Sequence, residues 1–382
     1  MSDIKIVEVN NKRQLRKFVT VPNKMYKDTP QFVPAFYGDD LSDWNKEKNP
    51  AFEYCEAKAF LAYKDGEIVG RIGAILNHQA NEKWHTNRMR FSQVDFIDDP
   101  EVSDALFDTV TKWAIEKGCT ELQGPLGFCD LDREGMLVDG YDKRNMFITY
   151  YNLPYYNEHL ERLGFHKETD WVEYKIQIPH EDDDIYKKIR QLSDLVTKRG
   201  HFHKAHFTKR SQYKPYIRDF FDLVNAAYAE LYGVVTLTPE QIEKYADKFI
   251  PLINPDYCCL VLDEDEKLAG FGVCCPSVAD AMKKSNGKLF PIGWIRVLKA
   301  LHKNNAVDLL LIAVRPELRS KGINAIIIDH IMQSCNKNGI VYAETGPQLE
   351  TNTKVLSQWR EFEKEEHKRR RCYVKSLAIS PQ

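Results

Sequence analysis

One order of turn signals occurs twice in this 382-residue chain. In the first half, Asp65-Gly66 separates two strand-like runs, Ala59–Tyr63 and Ile68–Leu76, and an Asp-Gly pair between such runs is a strong hairpin signal. A strand over Arg90–Ile97 follows, then a helix opened by Asp99-Pro100 and ended by Gly118, then the strand Thr120–Gln123 and Gly124-Pro125. The second half repeats the order. Cys259–Leu262 and Leu268–Cys275 form a hairpin, a strand starts at Asp308, a helix ends at Gly339, and the strand Val341–Thr345 closes in Gly346-Pro347. Val69-Gly70 and Ala269-Gly270 occupy matching places in the two hairpins. Matched order of this kind predicts two copies of one α/β unit. The composition break at Pro179–Asp184 puts the first at residues 1–179 and the second at 184–382. The second copy is longer, mainly through Pro276–Asn305, where Trp294 and Leu298 fall on a short helix.

A hydrophobic content of 43% is enough to bury a sizeable core. Lys and Arg total 54 against 56 Asp and Glu, which speaks against a broad nucleic-acid surface but not against a local basic pocket. No apolar run reaches the roughly 18 residues of a membrane span, so no membrane partner is expected. The nine cysteines include no Cys-x-x-Cys pair and fit buried thiols in a reducing cytoplasm, with no metal site.

The stretch from Asp308 to Ile328 is an apolar strand, a short basic loop and an isoleucine-rich helix. Such a turn leaves the first helical N–H groups pointing outward at the positive end of the helix dipole, which suits an anion. Arg315, Arg319 and Lys321 add positive charge, although an ordinary strand-to-helix turn with solvated basic residues has the same pattern. The matching turn of the first copy, Asp98-Asp99-Pro100-Glu101, is acidic and lacks one donor at the proline. Only the second copy therefore suits an anion there.

Val314-Arg315-Pro316-Glu317-Leu318-Arg319-Ser320-Lys321-Gly322-Ile323-Asn324 resembles the acyl-CoA-binding motif of the GNAT superfamily, departing from it at Asn324, where glycine or alanine is usual. The whole chain, with Gly124-Pro125, Gly135–Gly140, Asn152–Tyr156 and Gly164-Phe165, is similar to bacterial two-domain GNAT-like proteins of undefined substrate. The resemblance implies an α/β fold of two tandem GNAT-like units, each a mixed, mostly antiparallel sheet flanked by helices. It implies acetyl-CoA or another acyl-CoA as co-substrate, with the backbone of Ile312 and Val314 along its pantetheine arm. Arg319, Ser320, Lys321, Gly322 and Asn324 would hold its pyrophosphate. The first unit would be degenerate for CoA and face the substrate.

Glu344, on the strand after the motif, is the first candidate for the base that deprotonates an amine, and Asp308 the second, a structural ion pair being the alternative for each. Family members often carry a tyrosine seven residues after an asparagine; counted from Asn352 that place holds Trp359, which cannot supply a titrating proton. Asp130, Asp132, Arg133 and Asn352 are candidates to contact substrate, with a solvated loop as the alternative for the first three. Tyr150, Tyr151, Tyr155 and Tyr156 are expected between the domains, and Lys368–Arg371 as a solvated lead-in to the last strand. The expected activity is acetyl transfer to the amine of a small-molecule or aminoacyl substrate. The alternatives are a Fem-like aminoacyltransferase and a non-catalytic acyl-CoA-binding module, the latter favoured by Asn324 and Trp359.

Overall fold

A computed structural model describes residues 4–378. Its first seven strands are β1 (Ile4–Glu8), β2 (Cys55–Lys64), β3 (Glu67–Asn77), β4 (Arg88–Phe96), β5 (Glu121–Gly124), β6 (Met136–Asp139) and β7 (His166–Gln177). The next seven are β8 (His203–Lys204), β9 (Cys258–Leu262), β10 (Leu268–Pro276), β11 (Ala306–Val314), β12 (Tyr342–Thr345), β13 (Gln348–Leu349) and β14 (Lys364–Ser376). Helices α1 (Lys12–Met25), α2 (Tyr37–Asp43), α3 (His78–Trp84), α4 (Pro100–Glu116) and α5 (Tyr155–Arg162) lie in the first half. They are followed by α6 (Asp184–Gly200), α7 (Ile217–Tyr228), α8 (Pro239–Phe249), α9 (Ala279–Ser285), α10 (Gly293–His302), α11 (Ile323–Lys337) and α12 (Thr353–Ser357).

Two compact units divide the described residues: the first holds 4–172, Ala279–Trp294 and 367–378, the second Glu173–Val278 and Ile295–Glu366. Each carries the repeated order of elements. In the first, β2 and β3 form the hairpin, with Asp65 and Gly66 both at positive φ in the turn, and β3 pairs antiparallel with β4. Helix α4 then crosses over so that β5 lies parallel to β4. In the second, the β9–β10 hairpin pairs through β10 with β11, and α11 carries the chain to β12, parallel to β11. The remaining pairings are antiparallel, giving orders β1-β2-β3-β4-β5-β14 in the first unit and β7-β12-β11-β10-β9-β8 in the second.

The matched glycines do the same job in both copies. A Cβ on Gly70 would come within 2.9 Å of Leu106 on α4, and one on Gly270 within 3.0 Å of Ile323 on α11. Glycine at these places lets the crossover helix approach its sheet closely. Leu106, Val110 and Ala114 on α4, and Ile326 and Ile327 on α11, are fully buried as a result. Each such branched side chain contributes about 1.5–3 kcal/mol relative to exposure.

Two segments from the second half of the sequence pack in the first unit. The Gly287 carbonyl accepts from the Tyr37 N–H at 2.9 Å, and Asp280 pairs with Arg144 at 3.0 Å. The C-terminal part of β14 pairs with β5 over Tyr373–Ser376 and with β6 over Arg369–Arg371. This corrects the reading of Lys368–Arg371 as a solvated lead-in. Alternation along β14 buries Lys368 and Arg370. The Lys368 ammonium donates to the Arg144 carbonyl at 3.1 Å, and the Arg370 guanidinium donates to Asn145 Oδ1 at 2.8 Å. Arg369 and Arg371 point the other way, to Asp170 at 3.4 and 2.8 Å. Satisfied in this way, the inward pair can be buried. Helix α12 stops at Ser357, because the chain must be extended again by Lys364 to enter β14.

The tyrosines at 150–156 also belong to the first unit's interior. Tyr26 donates to the Tyr156 hydroxyl at 2.6 Å, and Tyr155 donates to the Phe96 carbonyl at 2.6 Å.

Candidate functional site

The strand–loop–helix of the second unit is β11, a short 3₁₀ turn over Pro316–Lys321, Gly322 and α11. Gly322 lies in the left-handed region at φ +81°, which glycine adopts without the steric cost other residues meet. It is the N-cap of α11, no side chain caps this end, and the first turn holds no acid. The first unit differs as its sequence suggests. Asp99 caps α4 by accepting from the Glu101 N–H at 2.9 Å, and Lys64 bonds the same carboxylate at 2.5 Å. That lysine holds the Asp99 carboxyl below the usual carboxylate range. One helix start is already satisfied by a carboxylate, and the other keeps its donors for something else.

The register of β11 decides where its backbone points. Arg315 donates its N–H to the Ala269 carbonyl at 2.9 Å, while Val314 stands opposite Gly270 and Ile312 opposite Gly272. In an antiparallel ladder these two are the non-bonded pairs, so the N–H and C=O of Ile312 and Val314 turn away from β10. On that side β12 pairs only with Ala306–Leu309. Beyond Leu309 the edge is met by α7: Tyr228 donates its hydroxyl to the Ile312 carbonyl at 2.8 Å. Arg319 reaches the same helix end, donating to the Ala227 carbonyl at 2.9 Å. Ser320 and Lys321 are exposed, and Asn324, in the first turn of α11, is half-buried. Arg315 is committed elsewhere, bonding Asp263 at 2.7 Å and Glu317 at 3.3 Å. The uncapped helix start, the Gly322 turn and the outward phase of Ile312 and Val314 fit the diphosphate and amide arm of an acyl-CoA.

The same registers bring both candidate bases together. Asp308 stands opposite Glu344 across the parallel β11–β12 pair, Cys275 stands opposite Asp308 on β10, and Lys175 opposite Glu344 on β7. Directly opposed residues point to one face, so the two buried carboxylates are neighbours in a row of four. Val307 and Ala343, one position away, pack with Met332 and Cys335 of α11, which puts the carboxylate row on the face opposite α11. Separate sequence arguments named Asp308 and Glu344; their pairing depends on a register that no local pattern records.

Two other candidates have structural employment. Asn352 is the N-cap of α12 and accepts from the Val355 N–H at 3.3 Å. Trp359 is buried against Phe362 and donates its indole N–H to Gln348 at 3.2 Å.

The remaining three lie in the first unit. Asp132 ties its own loop, accepting from the N–H groups of Phe128 and Cys129 at 2.9 and 3.3 Å. Burial pushes the nearby Glu134 carboxyl well above the usual range, and the charge of Asp130 adds to the shift. Arg133 is ion-paired with Asp40 and lies 4.8 Å from the Tyr150 ring. Together with Arg71, Asp95, Tyr37 and Tyr150, it lines a cavity of about 20 Å³, room for about one water. Beside it Arg71 bonds Asp95 at 2.6 Å, and burial raises the Asp95 carboxyl despite that partner. Sequence reasoning missed Arg71, Asp95, Asp40 and Tyr26. A polar alternation at the start of β4 was the available signal, but apolar neighbours mask it.

Comparison with known proteins agrees with this geometry. Residues 218–362 match the Acetyltransferase (GNAT) family, and that span contains β11, α11 and β12. The matched segment is GNAT-like, and the chain is similar to proteins of this superfamily. It is 27% identical over 373 residues to Protein YghO of Escherichia coli (strain K12), covering 96% of this chain and 94% of that one. It is 25% identical over 301 residues to Bacterial ceramide synthase of Caulobacter vibrioides, covering 78% and 76%. In fold it resembles a tandem GNAT protein from the clavulanic acid biosynthesis pathway, with a TM-score of 0.57 at 11% identity over 99% of this chain and all of that one.

Proposed function

We propose that the protein is an acyl-CoA-dependent N-acyltransferase acting on an amine, with its co-substrate held at Ile312, Val314 and the turn from Arg319 to Asn324. The observation that carries the reading is the uncapped start of α11 directly after a strand whose outer residues turn their backbone away from β10. An acyl-CoA supplies the activated acyl group as a thioester. The first-turn N–H groups and Lys321 bind its phosphates. Glu344, with Asp308 beside it, accepts the proton that the acceptor nitrogen sheds as its bond to the acyl carbon forms; the thioester C–S bond breaks, and CoA leaves as its thiolate and takes a proton from solvent. We assign the reaction to the cytoplasm.

Acetyl-CoA should raise the melting temperature of the parent protein, and Arg319→Glu should abolish that shift. No shift in the parent would sink the reading. A shift without turnover on any amine would favour the non-catalytic binding module.

The match to a ceramide synthase over 78% of this chain favours a second reading, transfer of a long acyl chain to a lipid amine. Thiol release measured across acyl-CoA chain lengths, with a sphingoid base and with small amines as acceptors, separates the two. Turnover confined to acetyl-CoA and small amines excludes the lipid reading.

A further inference from the structure

Large apolar side chains exposed at the surface are not spread evenly. Of eleven such residues among those described, six fall in one stretch of ten: Leu289, Phe290, Ile292, Trp294, Ile295 and Leu298. Phe290 is 80% exposed and Ile292 52%. The stretch is one local element, a short loop running into the first turns of α10. The helix buries Val297 and Leu301, four apart, on one face. Trp294, Ile295 and Leu298 are nonetheless 44, 48 and 37% exposed, where a surface helix normally carries polar residues. A cluster of this kind marks a contact surface.

The charge around it is one-sided. From Ala281 to Val307 the chain carries Lys283, Lys284, Lys288, Arg296, Lys299 and Lys303 and no acidic residue, whereas the whole protein has a net charge of −2. Lys283 donates to the Pro30 carbonyl and Lys288 lies 5.6 Å from the Tyr37 ring, so both hold the loop at its base. Lys299 on the helix and Lys303 just past its end are exposed. An aromatic and aliphatic tip fringed by cations suits a bilayer interface, where apolar groups enter the acyl region and cations meet anionic headgroups. A second copy of the chain suits it less, because self-association through this face would bring one basic fringe against another.

We propose that Leu289–Leu298 is a membrane-docking element that inserts Phe290, Ile292 and Trp294 shallowly into an anionic lipid surface. Among the described residues no helix is long and apolar enough to cross a membrane, so the contact is peripheral. It is independent of whether the protein transfers acyl groups.

The test is co-sedimentation of the full chain with vesicles of phosphatidylcholine, alone or with a third phosphatidylglycerol. Binding should be at least about tenfold tighter to the anionic vesicles, and raising salt to about 0.5 M should weaken it. A Phe290→Ser/Ile292→Ser double variant, which removes only exposed side chains, should keep the parent's melting curve and lose about tenfold or more in binding. Lipids brominated near the headgroup should quench tryptophan emission in the parent and not in Trp294→Phe. The proposal is overturned if the parent does not partition, or if the double variant partitions equally. It is also overturned if the parent forms dimers that the double variant abolishes while vesicle binding is absent.

Discussion

Replacing Asn324 with Asp changes one atom and adds one negative charge to the first turn of α11, where no acid stands. In the unligated protein the added carboxylate should help, because it complements the helix dipole, by about 0.3–1 kcal/mol. Toward a CoA diphosphate it should do the reverse. Two unit charges about 5 Å apart at an effective dielectric of about 20 repel by about 3 kcal/mol. Asn324 is half-buried, so solvent and salt should reduce this to about half, a loss of about tenfold in affinity. At a CoA concentration 100 times the parent's Kd, the stabilisation should fall from about 2.7 to about 1.4 kcal/mol. The assay is calorimetric titration of CoA with a parallel melting curve, and Asn324→Ala serves as the uncharged control that retains binding. The diagnostic outcome is opposite signs, with higher unligated stability and weaker binding. An Asp variant that binds CoA as tightly as the parent, or an Ala variant that fails alongside it, would refute the placement of the phosphates.

Glu344→Gln keeps the shape of its row beside Asp308 while removing a proton acceptor, so kcat should fall by about 10²-fold or more with the CoA thermal shift intact; unchanged turnover would move the base elsewhere. Asp170 is buried, which pushes its carboxyl up, but hydrogen bonds from Arg371 and Lys167 overcome this and leave it below the usual range. A depressed carboxylate stabilises fully above its unfolded value, so Asp170→Asn should cost about 3 kcal/mol or more at neutral pH. Urea melts should show that gap closing as pH falls below about 4; a gap independent of pH would mean that packing, not charge, is lost. Trp359→Ala should cost about 3–5 kcal/mol by urea denaturation, as removal of a core side chain does, and a loss under 1 kcal/mol would contradict its buried place.

Features that depend on near neighbours in sequence were legible. The Asp65-Gly66 turn and the Asp99-Pro100 helix start both form, because each is decided within a few residues. The matched Gly70 and Gly270 were visible as punctuation, though not as the close approach of helix to sheet that they permit. What escaped was set at long range. A basic run such as Lys368–Arg371 reads as solvated until the Arg144 carbonyl, Asn145 and Asp170 arrive from elsewhere. Arg319 is visible as a basic residue of the turn, and only the fold brings the Ala227 carbonyl to it. Asp308 and Glu344 were each nameable from their strands, but their adjacency is a property of the register.

The last strand has a consequence for how the chain is made. Residues Tyr373–Ser376 complete the edge of β5, and β5 leaves the ribosome some 250 residues earlier. Until β14 has been made, that edge of the first unit is an unpaired row of donors and acceptors, able to recruit a strand from another nascent chain. Any truncation that removes β14 leaves the beginning of the chain, although translated in full, with an open sheet edge far from the break.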